Sequence, residues 1–289
     1  EAFAVGIGLF YAGFNDRSSN LLLSDFRSLP PGHYPRISAL FLNPNMLCTF
    51  LVVSFLLALG MRAARWLDGV RFWLLTIGIV ITVASTISAG LGGLVLGGGL
   101  WAWMRLRGSR HTGLRPIILV GSHAVALVFF LATAVSPVTR DGQGVVVPIL
   151  HRRIEPSSRV LAWRTAFETV KEHPVLGRGL GLEVSSAHYL NASGRWEDVT
   201  DAHNVWLSVA GQTGVVGLLA FGTIILYLVK GLAPLDPRGT PGLVMKTSVA
   251  LAFVGAFLYQ SLSGSFEDTR HLWVLIGMLA AAKRGWDGA

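Results

Sequence analysis

His203 is the side chain in this sequence best suited to moving a proton. It stands in Asp201-Ala202-His203-Asn204-Val205-Trp206-Leu207, where a long polar segment ends and a long apolar one begins. Imidazole titrates near neutral pH, which few side chains do, and Asp201 and Asn204 are close enough to orient its ring. Arginines supply a second kind of chemistry. Arg36 lies just before Asn43-Pro44-Asn45, and Arg159 and Arg164 lie in the polar segment upstream of His203. Guanidinium forks pair with phosphate oxygens bidentately, and a neutral imidazole beside a bound phosphate can accept a proton from an attacking hydroxyl. Each feature also has a plain structural reading. A lone histidine at an apolar boundary is more often a satisfied polar residue than a base. An arginine there can snorkel to lipid headgroups. Asn43-Pro44-Asn45 can be a kinked helix start whose amides replace lost backbone bonds.

Other chemistries have little support. His188 and His203 are fifteen residues apart with no partner at i+3 or i+4, so no metal site is expected. Cys48 is the one cysteine, which excludes an intramolecular disulfide and any CxxC site. Gly90, Gly92, Gly93 and Gly97–Gly99 fall inside an apolar run rather than between a strand and a helix, so they suit close helix packing and not a nucleotide loop. Asn191-Ala192-Ser193 matches the short N-glycosylation pattern.

The elements that must position these residues are read from composition. Of the 289 residues 52% are hydrophobic and 14% charged, with a mean hydropathy of +0.55. Soluble domains carry about 25% charged residues, so the chain is expected to be an all-α, polytopic transmembrane bundle. Its net charge of +8 is spread between apolar runs without an aromatic-interleaved stripe, which argues against nucleic acid. A membrane helix needs about 20 mostly apolar residues. Spans are expected near Leu40–Gly60, Phe72–Ser88, Leu91–Met104, Pro116–Val135, Val205–Val229, Thr247–Leu262 and Leu272–Ala282, after a fragment at Ala2–Phe14. The start inside an apolar run suggests the C-terminal part of a longer protein, with 1–289 as a single membrane domain.

Arg62, Arg65 and Arg71, then Arg105, Arg107, Arg110 and Arg115, then Lys230, Arg238 and Lys246, then Lys283 and Arg284 mark four basic segments. Placing them in the cytoplasm puts a long loop, 136–204, outside. Within it Pro156-Ser157-Ser158 is expected to cap a helix over 159–171, with Val160, Trp163, Phe167 and Val170 as an apolar stripe. The stripe is too short to span a bilayer and is expected to lie against the membrane domain or the interface. That helix should stop near His173-Pro174, and Gly177, Gly179 and Gly181 should form a flexible turn segment.

Three motifs in order carry a family resemblance. They are Arg36-Ile37-Ser38-Ala39-Leu40-Phe41-Leu42-Asn43-Pro44-Asn45; Ser158-Arg159 with Trp163 and His173-Pro174-Val175-Leu176-Gly177-Arg178-Gly179-Leu180-Gly181; and Ala202-His203-Asn204-Val205-Trp206-Leu207 with Gly214-Val215-Val216-Gly217. Together they resemble the O-antigen ligase and Wzy polymerase superfamily of bacterial inner-membrane proteins. Ala39 stands where that family usually has glycine, and Ala89 where many members have arginine.

The resemblance implies a GT-C-type glycosyltransferase in the inner membrane, active on the periplasmic face without metal or cofactor. It would move a glycan, with inversion, from an undecaprenyl-diphosphate carrier to an acceptor hydroxyl such as that of lipid A-core. His203 would be catalytic, Arg36, Arg159 and Arg164 would bind the lipid diphosphate, and Asn43, Asn45, Asp201 and Asn204 would support them. A polymerase, whose acceptor is another lipid-linked glycan, would use the same residues. A non-catalytic transporter would instead need charged side chains along the spans, and the apolar runs are nearly free of them.

Overall fold

The computed structural model describes residues 23–24, 36–37, 41, 44–86, 90–107, 113–136, 145–147, 152–190, 196–231, 234–264 and 270–285. Asn43, Ala89 and Asn191-Ala192-Ser193 lie outside them. Helix dominates: α1 (Pro44–Ala63), α2 (Gly69–Thr86), α3 (Leu91–Arg105), α4 (Leu114–Leu131), α5 (Ser158–Glu172), α6 (Val205–Lys230), α7 (Pro241–Ser263) and α8 (Arg270–Gly285). Pro44–Ala63, Leu114–Ala134, Val205–Lys230 and Pro241–Leu262 are long and apolar enough to cross a membrane, and Gly69–Val83 and His271–Ala282 are shorter apolar helices. The seven apolar runs expected from hydropathy are thus all helices, but four meet the length and hydropathy of a full span. The architecture is that of an all-α polytopic membrane protein.

Short antiparallel strand pairs also occur, which hydropathy does not reveal. β1 (Leu23–Ser24) pairs with β2 (Arg36–Ile37); β5 (Arg152–Pro156) pairs with β3 (Val135–Ser136) and β4 (Val145–Val147); β6 (Ala187–Leu190) pairs with β7 (Trp196–Val199). The polar segment 136–204 therefore holds a helix and small strand pairs.

The chain divides into two compact units. The first comprises Glu1–Phe129, Lys230–Phe257 and His271–Ala289. Its helix starts follow local rules. Pro44 opens α1, where its missing N–H costs no ladder bond, so the proline does not kink the helix. Asp68 caps α2, accepting the Arg71 N–H at 2.9 Å on Oδ1, while the Arg71 Nε lies 3.1 Å from Oδ2. Thr240 caps α7 at Pro241, with the Val244 N–H on its carbonyl at 2.9 Å. This start comes six residues before the hydropathic run, so Lys246, expected in a cytoplasmic loop, lies inside α7 and is buried.

α7 is the most enclosed of the long helices, with Val249, Ala250, Ala252 and Ala256 at zero exposure. α3 reaches it through glycine. A Cβ at Gly93 would stand 2.7 Å from the Gly255 carbonyl oxygen, and one at Gly97 would stand 2.6 Å from Leu56 Cδ1 on α1. Close backbone approach of this kind replaces the hydrophobic drive that apolar helices lack in lipid.

The second unit comprises Phe130–Val229 and Leu258–Arg270. Its framework is α5, the β6–β7 hairpin and α6. α6 is interrupted at Gly214, where φ is 63° and ψ −163°. The segment after α5 runs alongside the break. The N–H groups of Val215 and Val216 donate to the carbonyls of Pro174 and Val175 at 2.8 and 3.3 Å, and those of Arg178 and Gly179 donate to Gly211 and Gln212 at 2.8 and 3.0 Å. Gly177 and Gly214 make the approach possible: a Cβ on either would stand within 2.4 Å of the opposing backbone. The glycine segment expected to be a flexible turn is a backbone-bonded partner of α6.

Two outcomes follow for the first unit. Gly93→Val should destabilise it by about 1–3 kcal/mol, as overpacking does, whereas Gly98→Ala, which meets nothing within 4 Å, should be neutral or slightly stabilising. Thermal unfolding in detergent distinguishes them. The Arg71 N–H holds the Asp68 carboxyl below its usual value. That folded value lies below the unfolded one, so the cap contributes fully above about pH 4 and loses its contribution as pH falls through the folded value. The difference in Tm between wild type and Asp68→Ala should therefore shrink on acidification.

Candidate functional site

His203 ends the polar segment in a left-handed conformation, with φ of 47°. Among the described residues only Arg65 shares a positive φ without being glycine. Such a conformation is unfavourable for a side chain with a Cβ and persists where the surroundings fix it. What fixes it is the start of α6. The next residue, Asn204, caps that helix: its Oδ1 accepts the Leu207 N–H at 3.1 Å and its carbonyl the Ser208 N–H at 2.8 Å. The residue before, Ala202, is fully buried against Ala166 of α5 and Val184, with Leu207 packed on the same cluster.

The imidazole meets Asp201, with Nδ1 3.1 Å from Oδ2. Asp201 Oδ1 lies 3.4 Å from the Ser208 hydroxyl, which donates to it from a buried position on the first turn of α6. Both carboxylate oxygens are therefore oriented, one toward the ring and one toward the helix. The His203 side chain keeps 41% of its surface accessible. Residue type and spacing do not single out Ser208, whose role depends on where the fold places the Asp201 carboxylate.

α5 is locked to the same cluster through small and polar residues. Ala162, Ala166 and Thr169 are its buried positions. Thr169 Oγ1 donates to the Val184 carbonyl at 2.9 Å, and the Thr165 and Ser185 hydroxyls are 2.8 Å apart. The Val184 and Ser185 N–H groups then bond the Thr200 carbonyl at 3.1 and 2.9 Å. This ties α5 to the residues just before His203. The apolar stripe Val160-Trp163-Phe167-Val170 lies about 100° round the helix from this face, with Phe167 exposed and the other three half-buried. Alanine and threonine win the buried face because the hairpin root approaches closely and offers carbonyls. Ser157 stands at the expected cap position, but its hydroxyl donates to the Thr133 carbonyl at 2.6 Å rather than to the helix.

The arginines separate. Arg159 is half-buried on α5 and shares a face with Trp163, four residues on. The Trp163 indole N–H is buried and has no hydrogen-bond partner, a state uncommon for a buried donor. Arg164 is exposed, about 140° further round the helix from Arg159 at 3.6 residues per turn. Arg36 belongs to β2 of the first unit, where its backbone pairs with Ser24. Asn45 is in the first turn of α1, its carbonyl accepting the Thr49 hydroxyl at 2.9 Å. The structure thus brings Asp201, His203, Asn204 and Ser208 into one bonded group and ties α5, with Arg159, to its root. Asn43 lies outside the described residues, so the first constellation is represented only by Arg36 and Asn45.

The O-antigen ligase family pattern matches residues 70–222, just over half the chain. A protein of Rickettsia conorii (strain ATCC VR-613 / Malish 7), named "Putative polysaccharide ligase", is 19% identical over 191 residues, covering 59% of this chain and 46% of that relative. The chain therefore spans about half the length of the curated relative it matches. No solved structure matches it. The family match takes in α5, the capped histidine and the broken helix that follows it, and on that match the chain belongs to the O-antigen ligase family.

Proposed function

We propose that this chain transfers a glycan from an undecaprenyl-diphosphate carrier to an acceptor hydroxyl, on the periplasmic face of the bacterial inner membrane. The observation that carries the reading is the oriented pair at the head of α6. Asp201 Oδ2 lies 3.1 Å from Nδ1 of His203, an approach that suits Asp201 to orient the ring and leaves Nε2 as the proton acceptor.

The acceptor hydroxyl gives its proton to Nε2 as its oxygen attacks the anomeric carbon. The bond from that carbon to the diphosphate breaks, with inversion, and the electron pair leaves on the diphosphate oxygen. Charge grows on the leaving group, so fixed donors there lower the barrier. Arg159, on the same face of α5 as Trp163, is the group in the second unit suited to that task. Arg36 is the second candidate from the family motif, and Arg164, on the exposed side of α5, is the weakest. Asn43 and Asn45 support the Arg36 segment in this scheme.

Ligation, with lipid A-core as acceptor, is the preferred reading, because the matched relative is named a ligase. A polymerase would use the same chemistry on another lipid-linked glycan. In the intact protein, His203→Ala should lower transfer roughly 10²–10⁴-fold, the usual worth of a general base. Asp201→Asn should give a smaller loss. Arg159→Ala should abolish transfer and Arg164→Ala should largely spare it. Lipopolysaccharide ladders from cells carrying each variant, at matched membrane levels, are the measurement. A normal ladder from His203→Ala would overturn the assignment.

A further inference from the structure

The segment after α5 carries four large apolar side chains on its outside. Val175 is 58% exposed, Leu176 73%, Leu180 73% and Leu182 51%. Its backbone is not loose. Pro174, Val175, Arg178 and Gly179 are hydrogen-bonded to α6 on both sides of the Gly214 break, and the Gly181 N–H adds a bond to Gln212 Oε1 at 3.2 Å.

The break divides α6 into two environments. Before it, Val205, Ser208, Val209, Ala210, Gly211 and Gln212 are buried in protein. After it, Val215, Val216, Leu219, Ile224, Leu226, Tyr227 and Val229 are exposed apolar residues. From Val215 to Lys230 a helix rises about 24 Å, against a hydrocarbon core of about 30 Å. With Lys230 at one boundary, Val215 and Val216 lie about 6 Å short of the other, inside the acyl region. Pro174 and Val175, which lead into Leu176, are bonded to those same two residues, and Gly179 and Gly181, which flank Leu180, are bonded to Gln212 just before the break, so the exposed leucines are held at the level of the exposed start of this half of α6.

We infer that Val175, Leu176, Leu180 and Leu182 insert into the acyl region of one membrane leaflet, making the Pro174–Leu182 segment an interfacial anchor. The occupant is phospholipid. Irregular backbone is tolerated at that depth when its polar groups find partners in protein, and bonds to Gly211, Gln212, Val215 and Val216 serve Pro174, Val175, Arg178, Gly179 and Gly181. The anchor sets the height of the α5–α6 cluster above the membrane. It would hold Arg159 and His203 over the headgroup layer, where a lipid-borne diphosphate lies; this last consequence rests on the proposed function, whereas the insertion does not.

Site-specific fluorescence tests it. Cys48 is the one native thiol and is buried, so Cys48→Ala provides a background for Leu176→Cys, Leu180→Cys and, on the exposed hairpin, Asp198→Cys. Each intact variant is labelled with bimane and reconstituted in phosphatidylcholine–phosphatidylglycerol vesicles. Nitroxide on the fifth acyl carbon should quench labels at 176 and 180 several-fold more than at 198, and aqueous iodide should show the reverse order. Equal or weaker lipid quenching at 176 and 180 would overturn insertion, whatever the activity of the protein. Gly177→Ala, which sets a Cβ 2.3 Å from the α6 backbone, should lessen lipid quenching at 176 if those bonds set the depth. If Gly177→Ala left it unchanged, the mechanism of anchoring would be wrong. Loss of transfer by His203→Ala with normal quenching would support both readings separately.

Discussion

A helix broken in its middle has backbone groups that its own ladder can no longer pair, and leaving them bare in an apolar setting costs several kcal/mol each. In α6 that break falls at Gly214, and Pro174–Gly179 supplies the missing partners. Much of the second unit depends on this exchange. The segment can approach because Gly177 and Gly214 have no side chain where the two backbones meet. It begins within two residues of the end of α5, so the exchange also fixes that helix. The Gly-x-Gly and Gly-x-x-Gly elements, far apart in sequence, are two sides of one contact.

The same arrangement explains how a polar site is built from so few charges. α5 is joined to the hairpin root by Thr165, Thr169, Ser185 and the Thr200 carbonyl, and Ala166, Val184 and Ala202 close the space between them. Each small residue permits a hydrogen bond that a larger one would obstruct. His203 follows directly after buried Ala202 and directly before the capping Asn204, so neither neighbour is free to relax. Its positive φ is held from both sides. A histidine placed this way spends little additional freedom when Asp201 orients its ring, and Ser208 restrains the carboxylate in turn. Reacting groups held in advance lower the entropic part of a barrier.

Much of the membrane framework was legible in the sequence because hydropathy over about 20 residues reports one dominant physical quantity, transfer from water. Its failures have specific causes. The start of α7 was missed because Thr240-Pro241, a cap followed by a proline at the first helical position, is a local signal outside the apolar run. The face of α5 that packs on the hairpin root has no large apolar residue to announce it, since Ala162, Ala166 and Thr169 fit the narrow space beside Val184. The strand pairs escaped because a two- to five-residue strand carries no usable period. At the site, His203 and Asp201 were legible from residue type and spacing. Ser208 was not, since a serine inside an apolar helix draws notice only once its partner carboxylate is placed.

The exposed residues of the second unit are mixed in chemistry. The leucines at 176 and 180 and the valines at 175, 215 and 216 occupy the bonded junction together with exposed Arg178, while Glu168, Lys171, His188 and Asp198 share α5 and the hairpin with exposed Phe167 and Trp196, and Lys171 pairs with Glu168. Exposed ion pairs are worth little to folding, so their use is to keep those surfaces wet. Exposed leucines in water would be a cost with no return. In the inferred anchor the apolar side chains of the junction fix depth, and the charged groups of α5 and the hairpin favour water. Arg159 lies on α5 and His203 at the head of α6, the two elements that the junction joins, so on the proposed reading one backbone contact would position both the anion site and the base.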